Sequence, residues 1–393
     1  MKVFPKVKEK DELIVVFDIG SSSVGGALFR VEESGTPKII ITVREPIALG
    51  KSFDVDRFLS LTIKSLEVVA EKIYKAGLGA PSRIFCVLSS PWHVSQTRII
   101  RLEKNVPFIF SSKLADDLIK KEITLFEEEY LAKYPNTESK VRSIEFKNIK
   151  IMLNGYETRS PLDQKAKELE MTIFISISPE QVLSKIEETI REHFQFKDIK
   201  FSSFAMSSFM VVRDMYINQG DFLLAEIGGE VTDISMIKKN ALHGSISFPL
   251  GRNFIIRRVA STLHSSLDEA KSFISLFEDR HAEESVAKKL GSVIDKLKVE
   301  WLQKFQESLA NLSNDISIPS TIYMIVDKDL ADFFCTIIKN EQFNQYTFTE
   351  SKFKVIFLGA EVFHGMALFD ENTIRDPGLI IDSVFINRFL VKT

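Results

Sequence analysis

Cysteine is scarce in this chain of 393 residues, which contains only Cys86 and Cys335. Each stands within an apolar run, where free cysteine usually behaves as a small buried hydrophobe. We therefore expect buried thiols and a protein of a reducing compartment.

Long apolar segments are also missing. No run approaches the roughly 20 residues that span a bilayer. The apolar stretch at residues 13–17 follows a basic start but ends at Asp18, which is too short for the core of a signal peptide. These absences predict a cytoplasmic protein whose membrane contact, if any, is peripheral.

Excess charge and metal-ligand clusters are lacking too. The formal net charge is only -3, so the chain lacks the excess of positive charge that is typical of nucleic-acid-binding proteins. The six histidines show no ligand spacing with each other or with the cysteines. We predict neither a nucleic-acid partner nor a metal site made only of protein ligands.

The length exceeds what one core holds, so we expect two lobes with a cleft between them. Two segments share one plan: VVFDIGSSSVGGALF at residues 15–29 and LLAEIGGEVTDISMI at 223–237. Each has an apolar strand, an acidic residue, Ile-Gly, a turn and a returning strand. The pattern favours an internal duplication over two unrelated hairpins.

The two turns have the chemistry of a phosphate clamp. Glycine and serine turns present backbone N–H groups and hydroxyls to an anion, and Asp18 could hold Mg²⁺ through water, as this ion prefers. A Gly-Ala turn follows late in the chain. The predicted cofactor-binding residues are Asp18, Gly20, Ser21, Ser22, Ser23, Gly228, Gly229, Glu230, Thr232, Gly359 and Ala360.

The predicted domain organisation follows the change of pattern along the chain. Residues 1–88 and 171–220 form the first lobe, residues 89–170 an inserted strand-helix-strand subdomain, and residues 221–393 the second lobe. Within the second lobe, residues 254–318 are expected to form a helical outer subdomain. Its last helix, at about residues 282–312, has an apolar stripe that is interpreted as core. The stripe consists of Val286, Leu290, Ile294, Leu297, Trp301, Phe305 and Leu309.

These features resemble the actin, sugar kinase and Hsp70 superfamily and, within it, the bacterial division protein FtsA over nearly the whole chain. Two segments resemble the corresponding sequence segments of FtsA: NALHGSISFPLGRNFIIRRVASTL and MLNGYETRSP. FtsA and the pilus platform protein PilM share an inserted subdomain that the other members lack. The resemblance implies an α/β, two-lobed actin-like fold, built as a duplicated ribonuclease-H-like unit, that binds ATP and Mg²⁺.

The chain departs from the FtsA pattern at three places. Glu226, which the resemblance implies as the catalytic residue, stands where aspartate is usual, and Glu230 replaces a turn glycine. Ala360 replaces the second glycine of the late turn. We expect Glu230 to face the γ-phosphate, so that ATP binding is weak, hydrolysis is slow and Glu230→Gly tightens binding. The alternative is an outward Glu230 paired with Lys238 or Lys239.

The resemblance implies a self-associating division scaffold that docks an FtsZ-type filament protein on its second lobe. The alternatives are a PilM-like platform that binds a short peptide from a pilus membrane protein, a pseudo-ATPase interaction module, and a small-molecule kinase. The kinase is disfavoured because no independent candidate for its base is present.

The end of the chain is amphipathic. Residues 379–390 carry an apolar face with Ile380, Ile381, Val384 and Phe385, which could lie in a lipid interface as a peripheral anchor. It carries few basic residues, so packing back onto the first lobe is favoured.

Overall fold

The computed structural model describes residues 12–32, 34–133, 140–195, 198–278, 284–313, 317–341 and 352–391. Strands and helices are mixed, and the strands form three sheets. Two sheets form the centres of two lobes, and the third belongs to an inserted subdomain.

The first-lobe sheet has six strands: β1 (Leu13–Ile19), β2 (Ser23–Val31), β3 (Pro37–Pro46), β4 (Arg83–Leu88), β9 (Ile199–Ser203) and β15 (Leu368–Phe369). Their order is β15-β3-β2-β1-β4-β9. All seven residues of β1 are buried because helices cover both faces of the sheet. This burial explains the unbroken apolar run of β1.

Four helices cover this sheet: α1 (Val55–Lys75), α3 (Glu180–His193), α4 (Phe204–Met215) and α9 (Pro377–Phe385). α1 and α3 pack on one face and α4 and α9 on the other. α1 begins where the Asp54 carboxylate accepts the Arg57 N–H at 2.8 Å, a side-chain cap.

The second-lobe sheet has five strands: β10 (Phe222–Ile227), β11 (Thr232–Lys238), β12 (Ala241–Phe248), β13 (Thr321–Val326) and β14 (Lys354–Phe357). Their order, β12-β11-β10-β13-β14, repeats the β3-β2-β1-β4-β9 order of the first lobe. In each lobe an antiparallel hairpin lies beside a parallel strand. The repeated topology supports the predicted duplication.

Helices α5 (Arg252–Leu263), α6 (Leu267–Glu278), α7 (Glu284–Ser313) and α8 (Ala331–Asn340) pack on one face of the second-lobe sheet. α6, α7 and all but the first two residues of α5 fall within the predicted outer subdomain at residues 254–318. The stripe on α7 is core, as interpreted from the sequence; its buried members are Leu290, Ile294, Leu297, Trp301, Phe305 and Leu309. The side chain of Val286, also assigned to the stripe, lies outside the described part of the chain.

The inserted subdomain is one sheet with one helix, α2 (Ser112–Lys133). Its strands are β5 (Val94–Ile109), β6 (Val141–Leu153), β7 (Tyr156–Glu157) and β8 (Lys165–Pro179), in the order β5-β8-β6-β7. α2 packs on one face through Ile119 and Phe126.

The predicted boundary at residue 170 is wrong. The segment at residues 171–178 does not join the first-lobe sheet, because β8 pairs with β5 and β6 as far as Ile177 and Pro179. The sequence becomes more apolar in the second half of β8 because both faces of the strand are covered there. Ile173 and Ile175 face the core under α2, while Phe174 packs into a cluster shared by both lobes.

The end of the chain belongs to the first lobe, which corrects its assignment to the second. β15 pairs with β3, and α9 packs against α4 and β1. Residues 379–387 are all buried. The apolar face proposed as a lipid contact is therefore interior, and the favoured expectation of packing onto the first lobe is confirmed.

Two further expectations concern the cysteines and membrane-spanning segments. Cys86 and Cys335 are both buried and free, as predicted. Among the helices of the described ranges, none combines the length and apolar character needed to cross a membrane.

We expect Phe385→Ala in α9 to destabilise the protein by about 3–5 kcal/mol, because it removes a fully buried aromatic side chain. Urea unfolding would measure this loss. The control is Ile374→Ala, whose side chain is 74% exposed and whose loss should change stability by about 0.5 kcal/mol or less. If α9 instead served as a lipid anchor, Phe385→Ala would weaken vesicle binding and leave the unfolding curve unchanged.

Candidate functional site

The two hairpin turns are built alike. In the first lobe the Gly20 N–H donates to the Ser23 carbonyl at 3.1 Å, and in the second the Gly228 N–H donates to the Val231 carbonyl at 2.9 Å. Both turns lie between an apolar central strand and its returning partner, and they face each other across the cleft between the lobes.

The turns touch directly. The Glu230 N–H donates to the Ser21 Oγ at 3.1 Å. A Cβ atom on Gly229 would lie 2.3 Å from the Ser21 carbonyl oxygen, so only glycine fits this approach. The two predicted phosphate turns are thus in contact with each other rather than separated by a gap.

A chamber of about 560 Å³ lies beside this contact. It is large enough for a nucleoside-sized ligand. The predicted residues that line it are Asp18, Gly20, Ser21, Ser22, Ser23, Glu226, Gly228, Gly359 and Ala360. Gly229, Glu230 and Thr232 are absent from the lining. Thr232 instead bonds the Leu250 carbonyl and the Trp301 indole within the second lobe.

Arg44 on β3 is the main site residue that sequence reasoning missed. Its guanidinium binds Asp18 at 2.7 Å, Asp376 at 2.5 Å and the Ser23 hydroxyl at 2.9 Å. Asp376 also caps α9 by accepting the Leu379 N–H. No motif marks Arg44, because its two acidic partners are distant in sequence and meet only in the fold.

Arg44 acts differently on its two partners. Burial raises the pKa of Asp18, although Arg44 opposes the rise. Burial also acts to raise the pKa of Asp376, but Arg44 and the α9 N–H groups outweigh it, so the pKa of Asp376 is lowered. Asp18 thus lies at the wall of the chamber with its carboxylate already paired to Arg44.

Glu226 and Asp233 are direct cross-strand neighbours on β10 and β11. Burial and the Asp233 charge raise the pKa of Glu226 well above its usual range, and Ser89 of the first lobe bonds it. Burial raises the pKa of Asp233 to about 6, and Ser90 donates to it at 2.9 Å. The catalytic role that the resemblance implies for Glu226 stays a prediction.

Glu230 does not face the phosphate position, contrary to expectation. Its carboxylate is buried and accepts two bonds from Arg257 and one from Asn253, each of 2.7 Å. The alternative partners are also wrong, since Lys238 pairs with Asp221. The physical reason is that α5 brings an amide and a guanidinium to the turn, which stabilise the buried charge.

The residues present do not fit a magnesium triphosphate held between the turns. The turns occupy that space themselves, and the lining carries five acids against three bases: Asp18, Glu226, Asp327, Glu361 and Asp376 against Arg44, Lys328 and Arg375. The described residues contain no group of three or more acidic, histidine or cysteine side chains suited to a metal ion. Phosphate binding by the predicted residues remains a hypothesis that this geometry disfavours.

No family model matches the chain, and no curated protein matches it in sequence. Among solved structures, a chain of the PilM–PilN type IV pilus biogenesis complex matches with a TM-score of 0.64 at 12% identity, over 95% of this chain and 97% of that one. The ethanolamine utilization protein EutJ from Carboxydothermus hydrogenoformans has a TM-score of 0.42 at 10% identity, over 95% and 89% of the two chains.

The Ppx/GppA phosphatase of Aquifex aeolicus, in its type II variant, has a TM-score of 0.32 at 12% identity, over 80% of this chain and 68% of that one. Of these three structures, only the pilus complex is similar over the whole fold, and at 12% identity it shows a shared fold. The predicted actin-like α/β fold is thereby confirmed. The specific resemblance to FtsA is not.

We expect Asp233→Asn to remove a pH dependence of stability. Because the folded pKa of Asp233 is raised from 3.8 to about 6, the native protein holds this proton more tightly than the unfolded chain, and stability falls as pH rises through that window. Asp233 is only half-buried, so we expect a loss of no more than about 2 kcal/mol.

Urea unfolding at several pH values across the window would measure the effect. Asp233→Asn should become the more stable protein as pH rises, while Asp332→Asn, an exposed control on α8, should follow the wild type. Parallel curves for wild type and Asp233→Asn would contradict the assignment.

Proposed function

We propose that this chain is a platform protein of a type IV pilus assembly that binds a short segment of a membrane protein. The observation that carries the proposal is the whole-length match to a chain of the PilM–PilN complex, a structure named as a complex of two proteins in type IV pilus biogenesis. This role was one alternative from the sequence, and the fold match favours it over the division scaffold.

Fewer observations support the division role. An FtsA-type scaffold would use an amphipathic terminal helix at the membrane, but the candidate segment in this chain is buried in the first lobe. Docking of an FtsZ-type filament and self-association stay predictions, because we assign neither to a particular surface of the described residues. We therefore keep the division scaffold as the second candidate.

A groove between β6 and β9 is the binding site that we assign to the membrane-protein segment. Its volume is about 430 Å³, and it separates the inserted subdomain from the first lobe. β9 is the outermost strand of its sheet, and an edge strand offers backbone groups to an extended peptide. The groove therefore suits an extended segment that lies along β9.

The side chains of the groove define the chemistry of the segment. Phe146 is 46% exposed, and Lys147 and Lys200 lie along the lining. Arg142 also lines the groove, but its guanidinium is paired with Glu187. An exposed aromatic side chain beside two lysines suits a segment with acidic residues and at least one apolar anchor. In this proposal the chain works in the cytoplasm and reaches the membrane through its partner.

Glu145 makes the groove rigid. Its carboxylate accepts bonds from the Ser203 N–H at 2.9 Å and the Ser176 hydroxyl at 3.0 Å, and also from the Ser202 and Ser203 hydroxyls. Burial raises the pKa of Glu145. These bonds tie the inserted sheet to the start of α4, so the groove is formed before a ligand arrives.

The test is binding of a synthetic cytosolic segment from a membrane-anchored pilus assembly protein encoded beside this gene, measured by fluorescence polarisation. We expect Lys200→Glu to weaken binding by about tenfold or more, equal to about 1.4 kcal/mol. The matched control is Lys167→Glu, which makes the same charge change at an exposed position on β8.

Equal affinity for the Lys200→Glu and Lys167→Glu variants would show that the segment does not bind in this groove. No binding of any such segment, together with binding of an FtsZ-type protein, would replace the pilus role with the division role. Gene neighbourhood is an independent test, because a position beside pilus assembly genes would favour the pilus role and one beside division genes the division role.

A further inference from the structure

Glu230 and Arg257 join the two lobes. Arg257 on α5 holds both carboxylate oxygens of Glu230, and its Nε donates to the Gly50 carbonyl at 2.9 Å. Gly50 lies in the first-lobe loop at residues 47–54. The side chain of Leu49 in the same loop packs against the second-lobe core. One guanidinium therefore links the second turn to a loop of the opposite lobe.

The start of α5 is bonded to the same turn. The Arg252 N–H donates to the Gly228 carbonyl at 2.9 Å and the Asn253 N–H to the Gly229 carbonyl at 2.7 Å. A Cβ on Gly251 would lie 2.4 Å from the Gly228 oxygen. These helix N-terminal N–H groups, which elsewhere bind anions, are thus bonded to backbone oxygens.

Glu230 itself offers no free donor to a ligand. The Glu230 N–H is bonded to Ser21, and the Glu230 side chain is buried with its charge satisfied by Arg257 and Asn253. A phosphate placed between the turns would have to break the Ser21 contact and separate the lobes. It would also come close to a buried carboxylate of like charge.

We infer that Glu230 and Arg257 form an interlobe latch that takes the place of a triphosphate, so that the lobes are held closed without a nucleotide. The turn that resembles a phosphate site is a structural contact in this chain. This inference is independent of the pilus role, because it concerns only the cleft.

The first test compares Mg-ATP with adenosine as titrants of the wild-type protein by calorimetry. We expect Mg-ATP to bind no more than about threefold more tightly than adenosine, or neither to bind, because the contact between Glu230 and Ser21 keeps phosphates out of the space between the turns. Mg-ATP affinity about tenfold or more above that of adenosine, lost in Asp18→Asn, would overturn the inference.

The second test measures hydrogen exchange of the Glu230 amide. We expect Arg257→Gln to speed this exchange by about tenfold or more, because loosening the latch exposes the amide bonded to Ser21. Arg258→Gln is the matched control: it lies one residue along α5, is exposed, and pairs with Glu300 instead. Exchange in Arg257→Gln equal to that of the control would show that the pair does not hold the lobes together.

Discussion

The direct contact between the two hairpin turns is the constraint on which the relation of the lobes depends. Gly229 lies against the backbone of Ser21 so closely that no side chain could be accommodated. Once the turns meet, the loop carrying Gly50 reaches α5, and the loop carrying Ser90 reaches β11. The chamber beside the contact is bounded by both lobes as a consequence.

Burying this contact requires partners for the polar groups around it, because an unpaired charge away from water is costly. Arg44 satisfies two carboxylates within the first lobe, and Arg257 satisfies Glu230 within the second. At Glu226, burial raises the pKa well above its usual range. The Arg257 guanidinium also bonds the Gly50 carbonyl across the cleft, which suits the platform role that we propose.

The inserted subdomain is tied to the body in a similar way. Glu145 bonds to the beginning of α4, and Phe174 packs into a cluster that contains residues of both lobes. The groove between β6 and β9 is therefore a fixed feature of the surface. In the role that we propose, this rigidity would lower the entropy cost of binding a peptide segment there.

The sequence by itself determined the duplicated hairpins, the core stripe of α7 and the existence of an insertion, because these follow from local periodicity and turn residues. It did not determine where the insertion ends or where the last helix packs, since β8 and α9 are buried by distant elements. Nor did it determine the roles of Arg44 and Glu230. Their partners are brought to them by strands and helices far along the chain, and only the tertiary structure decides whether a carboxylate faces a ligand or a guanidinium.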